Sequence, residues 1–184
     1  EIGRGNRPLP FQVDYARAAP LIPRNLRFEI DERVDSAGRV LKAPVLADLE
    51  KIAALIQLQE AAAVAVCFIN SYRNPSHEEQ VAARLRGLLP QVFVACSTDL
   101  TREWYEYERT ATAAANAYVG PAVGSYLDQL EADLVARGFR GEPFFMGSGN
   151  GVRKPPPGSL RGLVSRVSGG WPPPARWLWS MGAR

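Results

Sequence analysis

From Leu26 to Val34 apolar and polar positions alternate, with Leu26, Phe28 and Ile30 on one face and Arg27, Glu29 and Asp31 on the other. A period of two predicts a half-buried strand. Asp35-Ser36-Ala37-Gly38 supplies turn chemistry, and Arg39–Leu41 returns as a hairpin partner. Behind Pro44 the period lengthens. Leu46, Leu49, Ile52, Ala53 and Ile56 recur at helical spacing. Val64–Ile69 is an unbroken apolar run of strand length, the pattern of a strand covered on both faces. Pro75, with Glu78 and Glu79 behind it, opens a second helix whose apolar face is Val81, Leu85 and Leu88. Val92–Ala95 reads as a third strand. A long helix is expected from about Glu106 to Ala136, with Gly120-Pro121 as a candidate break, a later stripe of Val123, Leu127, Leu130 and Leu134, and Gly138 as C-cap. Pro143–Met146 reads as a short last strand entering Gly147–Gly151. Strands alternating with helices predict an α/β domain with a largely parallel sheet. Residues 1–25, with Pro8, Pro10, Pro20, Pro23 and no period, read as an extended arm ordered by docking.

Composition adds limits. The 184 residues, 46% apolar and 22% charged, suit one medium globular domain. The longest apolar run, Ala61–Ile69, is far short of the roughly 20 residues that span a bilayer, so no membrane partner is expected. The N-terminus has no apolar core of a signal peptide, and its lack of an initial Met suggests a fragment. Cys67 and Cys96 end apolar runs and read as reduced core thiols of a cytoplasmic protein; no zinc spacing occurs. Residues 153–184 hold six Lys/Arg and no acid, which leaves 16 Lys/Arg against 19 Asp/Glu, a net −3, on residues 1–152. The pI near 9.1 is thus a property of the tail, and a nucleic-acid partner is not expected.

One stretch does not fit a plain surface helix. Residues 106–121, EYERTATAAANAYVGP, run from charge and rings to small residues and then Asn116-Ala117-Tyr118-Val119-Gly120-Pro121. This resembles the hydantoinase/oxoprolinase family pattern E-Y-E-R-T/S-x-T followed by N-A-Y-V-G-P. Three further stretches agree in order: RNLRFEIDERVDSAG at 24–38, VAVCFINSYRNPSHE at 64–78, and MGSGNG at 146–151. The resemblance covers roughly residues 1–152. It implies a large, hydantoinase A-type subunit, also like acetone and acetophenone carboxylase subunits. The implied fold is a fragment of an actin-like (ribonuclease-H-like) ATPase, with a mostly parallel sheet and flanking helices. Residues 1–115 would end the family's N-terminal domain, and 116–152 would start its core domain. The implied activity is an ATP-dependent, Mg2+-assisted hydrolase that opens a cyclic amide, or activates a related carbonyl compound, through phosphorylation. A hydantoinase B-type partner subunit or fused domain is implied as well.

The departures are informative. Neither of the family's two Gly-rich phosphate loops, V-D-V-G-G-T-F-T-D and D-M-G-G-T-S-T-D, occurs in the 184 residues. The chain therefore reads as a middle slice, inactive on its own, with an inactive remnant or interaction domain as the alternative. The tail after Val152 carries six Pro and three of the four Trp where the family runs S-A-E-A-A-A-R. GC-rich codons for Val152–Gly158, read from the third base, spell Ala-Glu-Ala-Ala-Ala-Arg. An out-of-frame or disordered tail is one reading of 153–184; a genuine Pro/Arg-rich tail is the other.

The candidate residues for a substrate or interdomain cleft are Glu108, Arg109, Asn116, Ser148, Asn150 and Gly151. Adjacent helical positions do not share a face, so Glu108 and Arg109 should hold separate bonds, with an interdomain salt bridge as the plainer role. Asn116 in an apolar helix needs a bonded amide. The Gly147–Gly151 turn could present backbone N–H groups to an anion, but it lacks the Lys-Ser/Thr ending of a P-loop. His77, the one histidine, could act as a base but reads first as a helix-start residue bonding the preceding loop. Tyr72 and Arg73 read as loop packing.

Overall fold

The computed structural model describes residues 11, 20–141, 145–147 and 151–153. Most of the N-terminal arm, Pro143, Ser148, Asn150 and the tail from residue 154 lie outside the described residues.

The chain enters through a single 3-10 turn, Arg24–Leu26. The alternating segment that follows keeps its two faces only from Ile30 on: Ile30 and Glu32 are half-buried and Val34 is buried, while Glu29, Asp31 and Arg33 are exposed, and Phe28, expected on the inner face, is 36% exposed. Its ladder is shorter than the expected strand. Only Arg33–Val34 (β1) pairs, antiparallel, with Val40–Lys42 (β2). The turn between them follows the expected chemistry. The Asp35 carboxylate accepts from the Ala37 and Arg39 amides at 2.9 and 2.8 Å, and Gly38 takes the left-handed φ of +86° that the turn requires. These bonds to Arg39 hold the Asp35 carboxyl below its ordinary value of 3.8.

The helix expected at Pro44 starts later. Leu46–Asp48 is a 3-10 turn leading into α1, Leu49–Leu58, with Leu49, Ala53 and Ile56 buried. The central apolar run forms β3 only over Ala63–Val66, and Ile69 is 41% exposed. The strand ends there because the Phe68 amide leaves the ladder for the Glu78 carboxylate at 2.7 Å and Asn70 turns the chain at φ +60°. Pro75 then begins α2, Ser76–Leu88, as the N-cap residue. Strand β4, Phe93–Cys96, lies parallel to β3 in the register Ala63↔Phe93 to Val66↔Cys96. This β3–α2–β4 crossover is the parallel part of the fold; the other two sheets among the described residues are antiparallel hairpins. The sheet was expected to be largely parallel; among the described residues the parallel part is one small two-stranded sheet within a mixed α/β architecture. Leu49, Ile56, Val66, Val81, Leu85, Leu89 and Val94 close the core between α1, α2 and the strands.

A single turn, α3 (Ser97–Leu100), leads to α4, Glu106–Ala136, which packs across β3 and β4. The candidate break does not occur, since Pro121 lies inside a continuous helix. An internal Pro forfeits one backbone bond and costs about 3 kcal/mol. Burial on both sides of it, at Ala113 and Ala117 before and Leu127 after, holds the axis. Gly120 allows the Phe93 ring to reach the helix backbone; a Cβ there would lie 2.4 Å from Phe93 Cε1. Of the later stripe Leu127 is buried, Leu130 and Leu134 are half-buried, and Val123 is 40% exposed. The helix ends as expected of Gly138. Its amide donates to Val135 O and the Phe139 amide to Leu134 O, both at 3.0 Å, with Gly138 at φ +83°. Phe145–Gly147 (β5) then pairs antiparallel with Gly151–Arg153 (β6), so the expected last strand is half of a hairpin.

Candidate functional site

Helix α2 places Glu78 on the same stripe as Val81, Ala82 and Leu85, and its side chain is fully buried. A buried carboxylate is tolerated only when its oxygens are satisfied. Here Oε1 accepts from the Phe68 amide at 2.7 Å and from Ser97 Oγ at 2.8 Å. Oε2 accepts from the Thr98 amide at 3.1 Å and Thr98 Oγ1 at 3.0 Å. The carboxylate thereby ties the loop after β3 to the turn after β4.

Arg109 approaches the same cluster from α4. It is 1% exposed. Its Nε donates to Ser97 Oγ at 3.1 Å and its Nη1 to Glu103 O at 3.2 Å, while Nη2 donates to Phe68 O. The Ser97 hydroxyl thus accepts from the guanidinium and donates to Glu78, joining the two charges through one oxygen. The guanidinium carbon also sits 6.0 Å from the Tyr72 ring centre. Arg73 stacks on the same ring at 5.6 Å, the loop-packing role expected of both residues.

A second buried pair lies beside the first. His77 Nδ1 and Glu32 Oε2 are 2.7 Å apart, with side chains 4% and 5% exposed. His77 therefore bonds Glu32, the residue just before β1 and 45 positions upstream, rather than its own preceding loop. Asn70 Nδ2 and Asn74 Nδ2 add bonds to Val34 O and Gly38 O, both at 2.9 Å, so the 70–78 segment clasps the hairpin.

Cys96 is buried and Cys67 half-buried. Burial, followed by the Glu78 charge, pushes Cys67 and Cys96 up to about 12 from an ordinary 9.0.

Of the residues singled out from sequence, Glu108, Arg109 and Asn116 share α4. Glu108 is half-buried, its carbonyl accepting from Thr112 Oγ1 at 2.8 Å, and Asn116 is buried. Gly151 begins β6. Sequence reasoning missed Glu78, Ser97, Thr98 and Glu32. Spacing held the signal for the first of these: Glu78 falls three and seven residues before Val81 and Leu85, on the apolar stripe. Among the described residues no group of three or more His, Cys, Asp or Glu could hold a metal ion, and no helix is long and apolar enough to cross a membrane.

These features define an α/β segment built on one parallel crossover and locked by an internal Glu–Ser–Arg bridge. The hydantoinase/oxoprolinase N-terminal region matches residues 1–89. An uncharacterized protein of Methanocaldococcus jannaschii is 36% identical over 152 residues, covering 83% of this chain and 22% of its own length. Caprolactamase subunit alpha of Pseudomonas jessenii is 35% identical over 122 residues, covering 66% and 18%. The crystal structure of that ATP-dependent caprolactamase superposes with a TM-score of 0.63 at 34% identity, over 72% of this chain and 19% of the other. A nucleotide-free acetone carboxylase shares the fold, with a TM-score of 0.68 at 19% identity over 84% of this chain and 22% of the other. The chain belongs to the hydantoinase/oxoprolinase-like family. It spans about a fifth of the length of the curated relatives it matches.

Proposed function

We propose that this chain serves as a structural segment of an ATP-dependent enzyme that activates an amide or related carbonyl group, of the hydantoinase/5-oxoprolinase type. The observation that carries this reading is the 35% identity to caprolactamase subunit alpha, together with a superposition on the ATP-dependent caprolactamase structure. A cyclic amide is the substrate class this supports, with ring opening through phosphorylation of the amide oxygen. An actin-like ATPase fold is the larger architecture into which β3–α2–β4 fits, and the family's two domains would meet within α4, which runs unbroken through residues 115 and 116.

In this reading the described residues supply scaffold. Glu78 and Arg109 spend their hydrogen bonds on each other's neighbours, and the described residues offer no donor set for Mg2+. By resemblance, phosphate and metal binding is assigned to the family's two Gly-rich loops, neither of which occurs in the 184 residues. Ser148, Asn150 and Gly151 remain the proposed cleft residues, by resemblance, together with Glu108, Arg109 and Asn116 of α4. A second, hydantoinase B-type subunit is the proposed partner, in keeping with a relative that is itself named a subunit.

The test is a chimera: caprolactamase subunit alpha of Pseudomonas jessenii with its matching segment replaced by residues 20–141 of this chain, assayed with its companion subunit. Caprolactam-dependent release of ADP is expected. A folded chimera that releases no ADP would refute the proposal.

A further inference from the structure

Strands β3 and β4 form a two-stranded parallel sheet, and among the described residues no third strand joins it. Its faces are covered: Val66, Val94 and Cys96 lie in the core with α1 and α2, and Phe93 meets α4 at Gly120. What the helices leave is the two edges. The Phe93 amide donates to Ala62 O at 3.0 Å, which fixes the direction of the backbone groups along the ladder. In a parallel pair, alternate residues of a strand turn both N–H and C=O to the partner, and the residues between turn both away. Phe93 and Ala95 therefore face β3, and Val94 faces out from β4. On β3, Val64 and Val66 face β4, while Ala63 and Ala65 face out.

The two edges differ. On β4, Val94 O accepts from Arg86 Nη2 at 3.2 Å, and Asp99 Oδ2 lies 3.8 Å from the same nitrogen. A charged side chain laid along an edge closes it to further pairing. Among the described residues no side chain is bonded to the Ala63 or Ala65 backbone. Burial differs in the same sense: Ala95 is 0% exposed, while Ala65, its partner in register, is only half-buried. We propose that the Ala63–Ala65 edge takes one further β-strand, from the remainder of the longer polypeptide found in the family, and that Arg86 ends the sheet at β4. The inference rests on family membership and not on the ATP-dependent reading. Backbone chemistry selects a strand, because a row of outward N–H and C=O groups is matched by an extended backbone, whereas a helix spends its own groups internally. Length selects the source. The edge is four residues long, Ala63–Val66, far short of the roughly 1,200 Å² that holds separate chains together. A strand tethered in the same polypeptide needs no such area, and about four-fifths of the length of each matched relative lies outside the match.

The experiment is amide hydrogen exchange at single-residue resolution, in the 184-residue chain and in the full-length chimera described above. The Val66 amide, which faces β4, should be slow in both and reports that the sheet is folded. The Ala65 amide should be fast in the 184-residue chain and about a hundredfold slower in the chimera, as a newly paired amide is. The Val94 amide should keep its rate relative to Val66. An Ala65 amide equally fast in the two proteins, with Val66 slow in both, would overturn the inference. Protection gained at Val94 and not at Ala65 would overturn it too, by placing the strand on the Arg86 edge. So would an Ala65 amide already slow in the 184-residue chain: a monomer in sedimentation would then assign the edge to the chain's own residues, and a dimer to a second copy. Protection of Ala65 without ADP release would sink the functional proposal and leave the strand edge standing; ADP release with a fast Ala65 amide would do the reverse.

Discussion

Glu78→Gln keeps the shape of the buried side chain and removes its charge, so it isolates what the carboxylate does. With the amide oxygen at Oε1, the bonds from Phe68 N and Ser97 Oγ survive, both to a neutral acceptor. The amide nitrogen then faces the Thr98 N–H, donor against donor, in place of the 3.1 Å bond. One buried donor left unsatisfied costs about 1–3 kcal/mol, and replacing charged by neutral acceptors weakens the rest. Arg109 also loses the opposite charge that Ser97 relays to it. A loss near 3 kcal/mol follows, out of the ~5–15 kcal/mol that a domain has. Glu78→Ala, which also opens a cavity and orphans four donors, should cost about 4–5 kcal/mol. Urea unfolding followed by far-UV circular dichroism measures both, and a loss of about 3 kcal/mol should lower the melting temperature by roughly 10 °C. A double-mutant cycle with Arg109→Met should show a coupling of about 1–2 kcal/mol, since the residues share the Ser97 hydroxyl. A Glu78→Gln loss below about 0.5 kcal/mol would refute the bridge as a structural element.

Val66, 5% exposed on β3, should not accept a charge: Val66→Asp is expected to abolish cooperative unfolding, because an unpaired buried charge costs several kcal/mol, and an unchanged thermal midpoint would contradict its interior position. Gly120→Ala should destabilise by about 1–3 kcal/mol by overpacking against Phe93, despite the helix-favouring methyl, and Phe93→Leu in the same chain should recover most of that loss in thermal melts. Cys67 and Cys96, raised from 9.0 to about 12, bind protons in the folded state that the unfolded chain releases, so their contribution is fully present below pH 9 and is lost between pH 9 and 12. Native thiols should accordingly react slowly with Ellman's reagent at pH 8 and rapidly in urea; equal rates would contradict the raised values and the burial of Cys96.

The periodic elements were legible in sequence because their signal is local. Helix α2 and its face, the Asp35–Gly38 turn and the Gly138 cap each depend on residues a few positions apart, and each is found where the pattern puts it. Strand lengths were less legible. Val64–Ile69 is apolar throughout, yet its strand stops at Val66 because a carboxylate ten residues away draws off the Phe68 amide. Pro121 misleads for a related reason, since tertiary burial on both sides outweighs the local penalty. The Glu78–Ser97–Arg109 bridge joins residues 12 and 19 positions apart, and the His77–Glu32 pair spans 45, distances over which no periodicity operates. In the stretch that stood out most, residues 106–121, Arg109 is bound inward, to Ser97, Glu103 and Phe68.

The most direct measurement of the central claim, that these residues are scaffold and the nucleotide chemistry lies elsewhere, is titration calorimetry of Mg-ATP into the 184-residue chain. Backbone donors of a phosphate loop and metal ligands together are what bind a nucleotide of this kind, and the sequence holds neither of the family's Gly-rich loops. The account predicts no heat of binding at micromolar nucleotide. Micromolar affinity for Mg-ATP by this chain alone would contradict it.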